Sequence, residues 1–227
     1  DAGANAAIIA SIAVGVKVVA GDVYHEGISQ VTAHDIAVAR RLGYVVKLLG
    51  IAERMPATGE IAVRVHPAMV PVTHPLASVR ESYNAVFVEG DAVGSLMFYG
   101  RGAGGMPTAS AVLGDVIDAA VNLSKGTHGS LGTFGRALTL PIDETTAEYL
   151  LSLEVADRPG VLHSVTGVFA RNGVSIRAAE QEGIAPDARL VFITHEAKES
   201  AVQATMRELR ELDVVRSVGG LLRVIGS

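Results

Sequence analysis

The sequence lacks cysteine altogether, and it has no run rich in lysine and arginine. Without cysteine the chain has no disulfide bonds, thiolate metal sites or cysteine nucleophile, which fits a reducing compartment. The formal net charge of -5 makes nucleic acid a poor partner, because a duplex-binding surface needs clustered positive charge. The most apolar stretch near the start, residues 6–19, is too short to span a bilayer and has no basic flank typical of a signal peptide. We therefore expect a soluble cytoplasmic protein.

The size and composition indicate a folded protein. Of the 227 residues 49% are hydrophobic and 19% are charged, so the chain can bury a core and is long enough for one large or two ordinary domains. The sequence begins at Asp1 without an initiator methionine, and a helical pattern follows almost at once. We expect it to be a piece of a longer protein.

Local signals divide the first half into helices and strands. Ile8 and Ile12 lie at i and i+4 in an Ala-rich stretch, which predicts a buried helix over 4–14. A second helix is expected to begin at Thr32, with Asp35 completing a capping box, and to end before Gly43. Further signals predict strands at 44–52 and 60–66, a hairpin of 84–89 with 95–99, and a helix over 107–123.

The second half has a more regular pattern. Residues 126–146 are rich in glycine, serine and threonine and are interpreted as a linker or mobile loop. After it, the predicted order is β-α-β-β-α-β in about 80 residues, which is the ferredoxin-like arrangement. We predict an α+β protein with a mixed α/β domain at 1–125, a linker at 126–146 and a ferredoxin-like domain at 147–227.

The first turn of the second domain has the features of an anion site. Asp157 is a suitable N-cap, and the free amides of Gly160, Val161 and Leu162 would attract a carboxylate at the helix N-terminus. Asn172, at the far end of the helix, has a side-chain amide that both donates and accepts hydrogen bonds. These features suit a free amino acid, but a well-made turn from strand to helix accounts for them equally well.

Two short sequences in this domain resemble those of a known domain family. Residues 157–162 read Asp-Arg-Pro-Gly-Val-Leu and residues 171–176 read Arg-Asn-Gly-Val-Ser-Ile. Together with the apolar helix between them they resemble ACT domains, which pair between chains and bind amino acids at the interface. The resemblance implies an effector site formed by Asp157, Gly160, Val161, Leu162 and Asn172.

In the first domain, residues 100–105 match G-x-G-x-x-G between a predicted strand and a predicted helix. A dinucleotide-binding fold requires a further parallel strand ending in Asp or Glu about 20 residues on. Here the helix leads into the glycine-rich segment, and Lys125 stands at that distance. A tight strand-to-helix turn is therefore favoured over an independent nucleotide site.

The sequences around this turn resemble homoserine dehydrogenases. The resemblance includes Arg-Val-His-Pro at 64–67, His-Pro-Leu-Ala-Ser-Val at 74–79, Asp-Val-Tyr-His-Glu-Gly-Ile at 22–28 and Gly-Arg-Gly-Ala-Gly-Gly-Met-Pro-Thr at 100–108. It runs through the chain in one register and implies an NAD(P)-dependent oxidoreductase. In that family the glycine-rich turn approaches the nicotinamide end of the cofactor. The resemblance gives this role to Gly102, Ala103, Gly104, Gly105 and Thr108.

The chain departs from the family at the start of the first helix. The resemblance places the family's catalytic acid at Asp1, but Asn5 stands where the family has lysine. An amide has no titratable proton, so Asn5 cannot serve as a general acid or base. The family's nucleotide-binding domain would precede Asp1, so this chain alone is expected to be inactive and to bind no cofactor by itself.

Two hypotheses follow for the function. The first is a portion of a homoserine dehydrogenase that forms homo-oligomers through the hairpin and the ACT domain, with threonine as the expected effector. The second is a stand-alone amino-acid-sensing or dimerisation protein without catalytic activity. The seven histidines are scattered, without the spacing of metal ligands, so no metal site is expected.

Overall fold

The computed structural model describes residues 2–128, 134–183 and 187–226, apart from the side chain of Asp187. Internal contacts divide the chain into two compact units, Asp1–Pro71 with Gly135–Ser227, and Val72–Phe134. No helix in the described ranges is both long enough and apolar enough to cross a membrane. The predicted boundaries at 125 and 146 remain a prediction, because the compact units do not follow chain order.

The first unit combines helices from both halves of the sequence around one sheet. Its helices are α1 (Ala2–Val14), α2 (Ala33–Arg41), α4 (Val161–Arg171) and α5 (Glu199–Arg210). Its strands are β1 (Tyr24–His25), β2 (Tyr44–Arg54), β3 (Ile61–Pro71), β6 (Thr146–Ala156), β7 (Ile176–Glu182), β8 (Asp187–Thr194), β9 (Ala197–Lys198) and β10 (Val215–Val224). The second unit contains β4 (Tyr83–Gly90), β5 (Gly94–Arg101) and α3 (Gly105–Lys125).

The strands after residue 146 form the predicted ferredoxin-like arrangement. The sheet order is β10-β6-β8-β7 with antiparallel neighbours, and α4 and α5 are the two connecting helices. Phe169 of α4 and Leu209 of α5 pack with Leu151 of β6 in one buried cluster. The α+β fold class is confirmed.

The sheet continues beyond this module into the first part of the chain. Strand β10 pairs in parallel with β3 through Arg223 with Ala68 and Val224 with Met69. On the same edge β1 also pairs with β3 in parallel, and β2 covers the other edge. Strand β3 is buried along most of both faces. Its position between neighbours makes it a central strand of the extended sheet.

The predicted burial of the isoleucines in helix α1 is wrong. Ile8 and Ile12 are 58% and 54% exposed, whereas the buried face consists of small residues. The buried residues are Gly3, Ala6, Ala7 and Ala10. Small side chains bring the helix backbone close to the sheet, and a Cβ added at Gly3 would overlap the imidazole of His25.

Helix α2 forms as its sequence predicts. The Thr32 side chain accepts from the Asp35 amide at 3.1 Å, and Asp35 accepts from the Thr32 amide at 2.9 Å. Gly43, just after the helix, has a φ of +83°, which suits glycine. Asp35 is buried and also accepts from Ser152 of β6 at 3.1 Å, so the capping residue joins the helix to the sheet.

Part of the predicted linker is held by backbone hydrogen bonds. The Lys17 amide donates to Gly135 at 2.8 Å, and the Ile61 amide donates to Leu138 at 2.8 Å. The Ala137 amide donates to Lys17 at 3.0 Å, and Ala137 is buried. Residues 135–140 are therefore a packed part of the first unit. Residues 129–133 of the predicted linker lie outside the described residues.

Candidate functional site

The glycine-rich turn leads directly into helix α3. Gly104 is the N-cap with a φ of +131°, and α3 begins at Gly105. The amides of the first helical turn have no acceptor within the helix, and together with the helix dipole they favour an anionic group. The Thr108 amide bonds back to Gly104 at 3.1 Å. The turn thus presents backbone donors at the start of a 21-residue helix.

The glycines of this turn serve different purposes. A Cβ at Gly102 would overlap the side-chain amide of Asn84, so glycine there is explained by packing within the second unit. A Cβ at Gly105 would meet nothing within 4 Å. Gly105, rather than Gly102, therefore has open space in front of it for a ligand. The residues present fit the approach of an anionic or amide-bearing part of a dinucleotide.

The surrounding topology is not a complete nucleotide-binding fold. Strands β4 and β5 form an antiparallel two-stranded sheet, and among the described residues no strand after α3 pairs with either of them. A dinucleotide fold requires a further parallel strand after the helix.

The two positions that the family resemblance predicts for catalysis, Asp1 and Asn5, come at the start of the sequence. Asp1 falls outside the described residues, and Asn5 is exposed on the first turns of the helix. Gly3 lies between them and packs against His25 of β1. Strand β1 therefore supports the start of α1, close to Asn5 in the sequence.

The ACT-type turn differs from the prediction in its cap. Gly160 is the N-cap with a φ of +89°, and helix α4 begins at Val161, so the prediction that Asp157 caps the helix is wrong. The left-handed Gly160 places the turn between Asp157 and the helix. The Asp157 carboxylate instead accepts from Gln181 at 3.4 Å, and the Val161 amide is engaged with Arg158 at 3.4 Å.

Asn172 lies at the opposite end of α4 and is already partly engaged. Its side-chain nitrogen donates to the Val168 carbonyl at 3.0 Å and to Glu208 of α5 at 2.8 Å. Both N–H groups are thereby used, which leaves the side-chain oxygen as an acceptor for an ammonium group. Helical rise separates Gly160 from Asn172 by about 18 Å, so one chain does not bring the two ends of the predicted effector site together.

Sequence reasoning missed a buried polar cluster around Arg223. Its guanidinium donates to both carboxylate oxygens of Glu199, at 2.8 and 2.6 Å, and to Glu26 at 2.6 Å. Tyr149 donates its hydroxyl to Glu199 at 2.9 Å, and the Tyr24 ring lies 5.6 Å from the guanidinium carbon. An arginine within the apolar run of the final strand was the signal available in the sequence.

Burial and charge set the ionisation of this cluster. Burial alone would raise the pKa of Glu199, but the hydrogen bonds and charge of Arg223 outweigh it and hold the pKa below its ordinary value. Burial, followed by the carboxylate of Glu199, raises the pKa of Tyr149. The cluster is therefore an ion pair at neutral pH. Among the described residues, no group of three acidic or histidine side chains is arranged to hold a metal ion.

Comparison with known proteins gives matches over the whole chain. The homoserine dehydrogenase family model matches residues 1–117, and the ACT domain model matches residues 149–214. The homoserine dehydrogenase of Corynebacterium glutamicum is 46% identical over 228 residues, covering 99% of this chain and 51% of that protein. That of Mycobacterium leprae is 46% identical over 238 residues, covering 100% of this chain and 54% of that protein.

Solved structures of homoserine dehydrogenases also match this chain. The crystal structure of a homoserine dehydrogenase from Thiobacillus denitrificans has a TM-score of 0.88 and 35% identity, covering 96% of this chain and 51% of that one. The Staphylococcus aureus homoserine dehydrogenase at pH 7.5 has a TM-score of 0.69 and 26% identity, covering 100% of this chain and 53% of that one. The chain spans about half the length of the relatives it matches.

Proposed function

The chain belongs to the homoserine dehydrogenase family and contains an ACT domain, and we propose that it is the substrate-side and regulatory portion of such an enzyme. The enzyme would interconvert aspartate semialdehyde and homoserine with NAD(P) in the cytoplasm. The observation that carries the proposal is the continuous sheet in which β3, from the segment matched to the family, pairs with β10 of the ACT module.

The cofactor role is proposed for the turn before α3. Homoserine dehydrogenases generally use NAD(P), which exchanges a hydride with the substrate when bound. In this chain the open approach at Gly105 and the left-handed Gly104 suit close contact with a ligand. The first amides of α3 would hold its polar groups, with Ala103 and Thr108 beside them. Gly102 contributes by accommodating Asn84.

The substrate role is proposed for the start of α1. The Asp1 carboxylate would bind the substrate's polar end, as the family resemblance implies. Asn5 can donate and accept hydrogen bonds but cannot transfer a proton as lysine does. We therefore assign Asn5 to substrate positioning, and we expect proton transfer to depend on residues of the nucleotide-binding half.

The regulatory role is proposed for the ACT module, with threonine as effector. Amides at Gly160 and Leu162 would bind the carboxylate, with Val161, whose own amide donates to Arg158, lining the turn. The Asn172 oxygen would accept from the ammonium. Since the two ends of α4 lie about 18 Å apart, the two halves of the site would come from two chains. This arrangement requires a homo-oligomer, with the β4–β5 hairpin as a further contact between chains. Asp157 would support the turn through Gln181.

Steady-state assays test the proposal. The purified chain is expected to show no NAD(P)H-dependent reduction of aspartate semialdehyde, while the polypeptide from the complete reading frame is expected to be active and inhibited by threonine. In that polypeptide Gly105→Val should raise the KM for the cofactor, because it fills the open space before α3. Gly114→Ala on the same helix, where a Cβ meets nothing within 4 Å, is the matched control.

Two results would refute parts of the proposal. Reductase activity from the chain alone would refute the assignment of hydride transfer to the part of the relatives that this chain does not cover. An inactive complete polypeptide that still binds threonine would support the stand-alone amino-acid sensor instead.

A further inference from the structure

Arg223 lies between two parts of the chain that belong to different family matches. Its side chain is 2% exposed, and it divides its donors between Glu199 of the ACT module and Glu26 of the first segment. Glu26 and Arg223 are 197 positions apart in the sequence. A buried guanidinium cannot exchange a lost partner for water without a large cost, so the positions of the two carboxylates depend on each other.

On the first-segment side, strand β1 extends this link to helix α1. The Tyr24 ring lies by Arg223, and its hydroxyl donates to Glu26 at 3.2 Å. The next residue, His25, points to the other face of the strand and packs against Gly3. Glu26 is fixed in the sheet by its amide, which donates to Val65 at 2.8 Å. A displacement of β1 would therefore displace the first turn of α1, beside Asn5.

On the ACT side, helix α5 connects the cluster to α4. Glu199 begins α5, and Glu208 near its end binds Asn172 of α4 at 2.8 Å and also binds Arg171. Helix α5 is anchored in the core by Val202, Thr205, Met206 and Leu209, all of them buried. A 12-residue helix held in this way moves as a unit.

We propose that Arg223 is the coupling residue of this protein: through Glu199 and Glu26 it transmits the state of the ACT module to the first turn of α1. The proposal rests on the proposed function, since it supplies the route by which an amino acid bound near Asn172 reaches the family's acid and lysine positions. Energetic coupling between sites needs such a contiguous set of contacts, and it is demonstrated by perturbing one member and measuring another.

Hydrogen exchange on the whole chain without ligand tests the link first. Glu26→Ala removes the outer partner while the buried Arg223–Glu199 pair remains. Exchange in residues 2–14 and 24–26 is expected to accelerate by about fivefold or more, with residues 161–171 unchanged. Glu53→Ala, which removes an exposed partner of Arg64 at 3.0 Å in the same sheet, is the matched control and should leave residues 2–14 unchanged. Unchanged exchange over residues 2–14 in Glu26→Ala would overturn the proposal.

Exchange with saturating threonine tests the transmission. In the native chain threonine should slow exchange in residues 161–171 and alter it in residues 2–14. In Glu26→Ala the first effect should persist with the same threonine affinity, and the second should vanish. A threonine effect that reaches residues 2–14 equally in both proteins would overturn the coupling role. If threonine, isoleucine and methionine all fail to bind, the proposed regulatory function fails, while the ligand-free effect of Glu26→Ala still supports the link.

Discussion

Arg223 and Glu199 form a two-point ion pair inside the protein, with N–O distances of 2.8 and 2.6 Å and both side chains almost fully buried. The pair joins the last strand to the start of the last helix. Tyr149 and Gln203 also donate to Glu199, so its carboxylate is fully engaged. The same guanidinium reaches outside the ACT module to Glu26.

Replacement of Arg223 by Met is expected to lower the free energy of unfolding by about 3–5 kcal/mol, because it leaves a buried carboxylate without its counter-ion. Urea denaturation followed by circular dichroism measures the change. Lys198→Met, which removes an exposed pair with Glu144, is the control and should leave the midpoint nearly unchanged. A loss in Arg223→Met no larger than in the control would contradict the assigned role.

The stability of the protein should fall between pH 6.5 and pH 4 because of His66. Burial, followed by the charge of Arg223, lowers the pKa of His66 from 6.5 to about 4. In this window the unfolded chain takes up a proton that the folded chain does not, so stability rises with pH. The difference amounts to roughly 3 kcal/mol. His66→Asn, which can still donate to the Pro67 carbonyl, should flatten this dependence in urea unfolding, and an unchanged slope would argue against His66 as its source.

Alanine substitutions at two helical glycines should change the stability of the protein in opposite directions. Gly3→Ala places a methyl group on the His25 ring, and overpacking of this kind costs about 1–3 kcal/mol. Gly114→Ala has open space and removes a flexible residue from the interior of α3, so it should stabilise that helix by about 0.5–1 kcal/mol. Thermal unfolding of both variants checks the signs. Stabilisation by Gly3→Ala would show that α1 does not lie close to β1.

Loss of the Thr32 cap should lower the stability of the protein. Thr32→Ala removes the acceptor for the Asp35 amide and is expected to cost about 1 kcal/mol. Thr32→Ser keeps the acceptor and is the matched control. Chemical denaturation of the two variants gives the difference, and equal stabilities would mean that the cap contributes nothing here.

The local parts of the fold could be predicted from the sequence. The capping box at Thr32, the stop at Gly43 and the strand order after residue 146 follow from short-range signals, and the structure confirms all three. These features depend on residues a few positions apart, whose preferences are fixed by backbone geometry.

The predictions that failed concern features that depend on contacts between residues far apart in the sequence. The position of Ile8 on an exposed face of α1 is set by contacts of Gly3 with His25 and of Ala6 with Gly50 of the sheet, which periodicity does not reveal. The partners of Arg223 lie 24 and 197 positions away. The prediction that Asp157 is the N-cap of α4 was wrong because Gly160 adopts a left-handed conformation that separates Asp157 from the helix. The assigned roles of the site residues stay predictions.

The central claim is that an amino-acid-sensing module is joined to the substrate side of a dehydrogenase. Calorimetric titration of the purified chain with threonine, isoleucine and methionine tests this claim most directly. Saturable binding of threonine is expected, weakened about tenfold or more in Asn172→Ala, since one lost hydrogen bond to a charged group costs about 1.5–3 kcal/mol. Lys198→Met, which removes an exposed ion pair with Glu144 at the N-cap of α5, the end opposite Glu208, should bind threonine as the native chain does. Flat titrations with all three amino acids would contradict the claim.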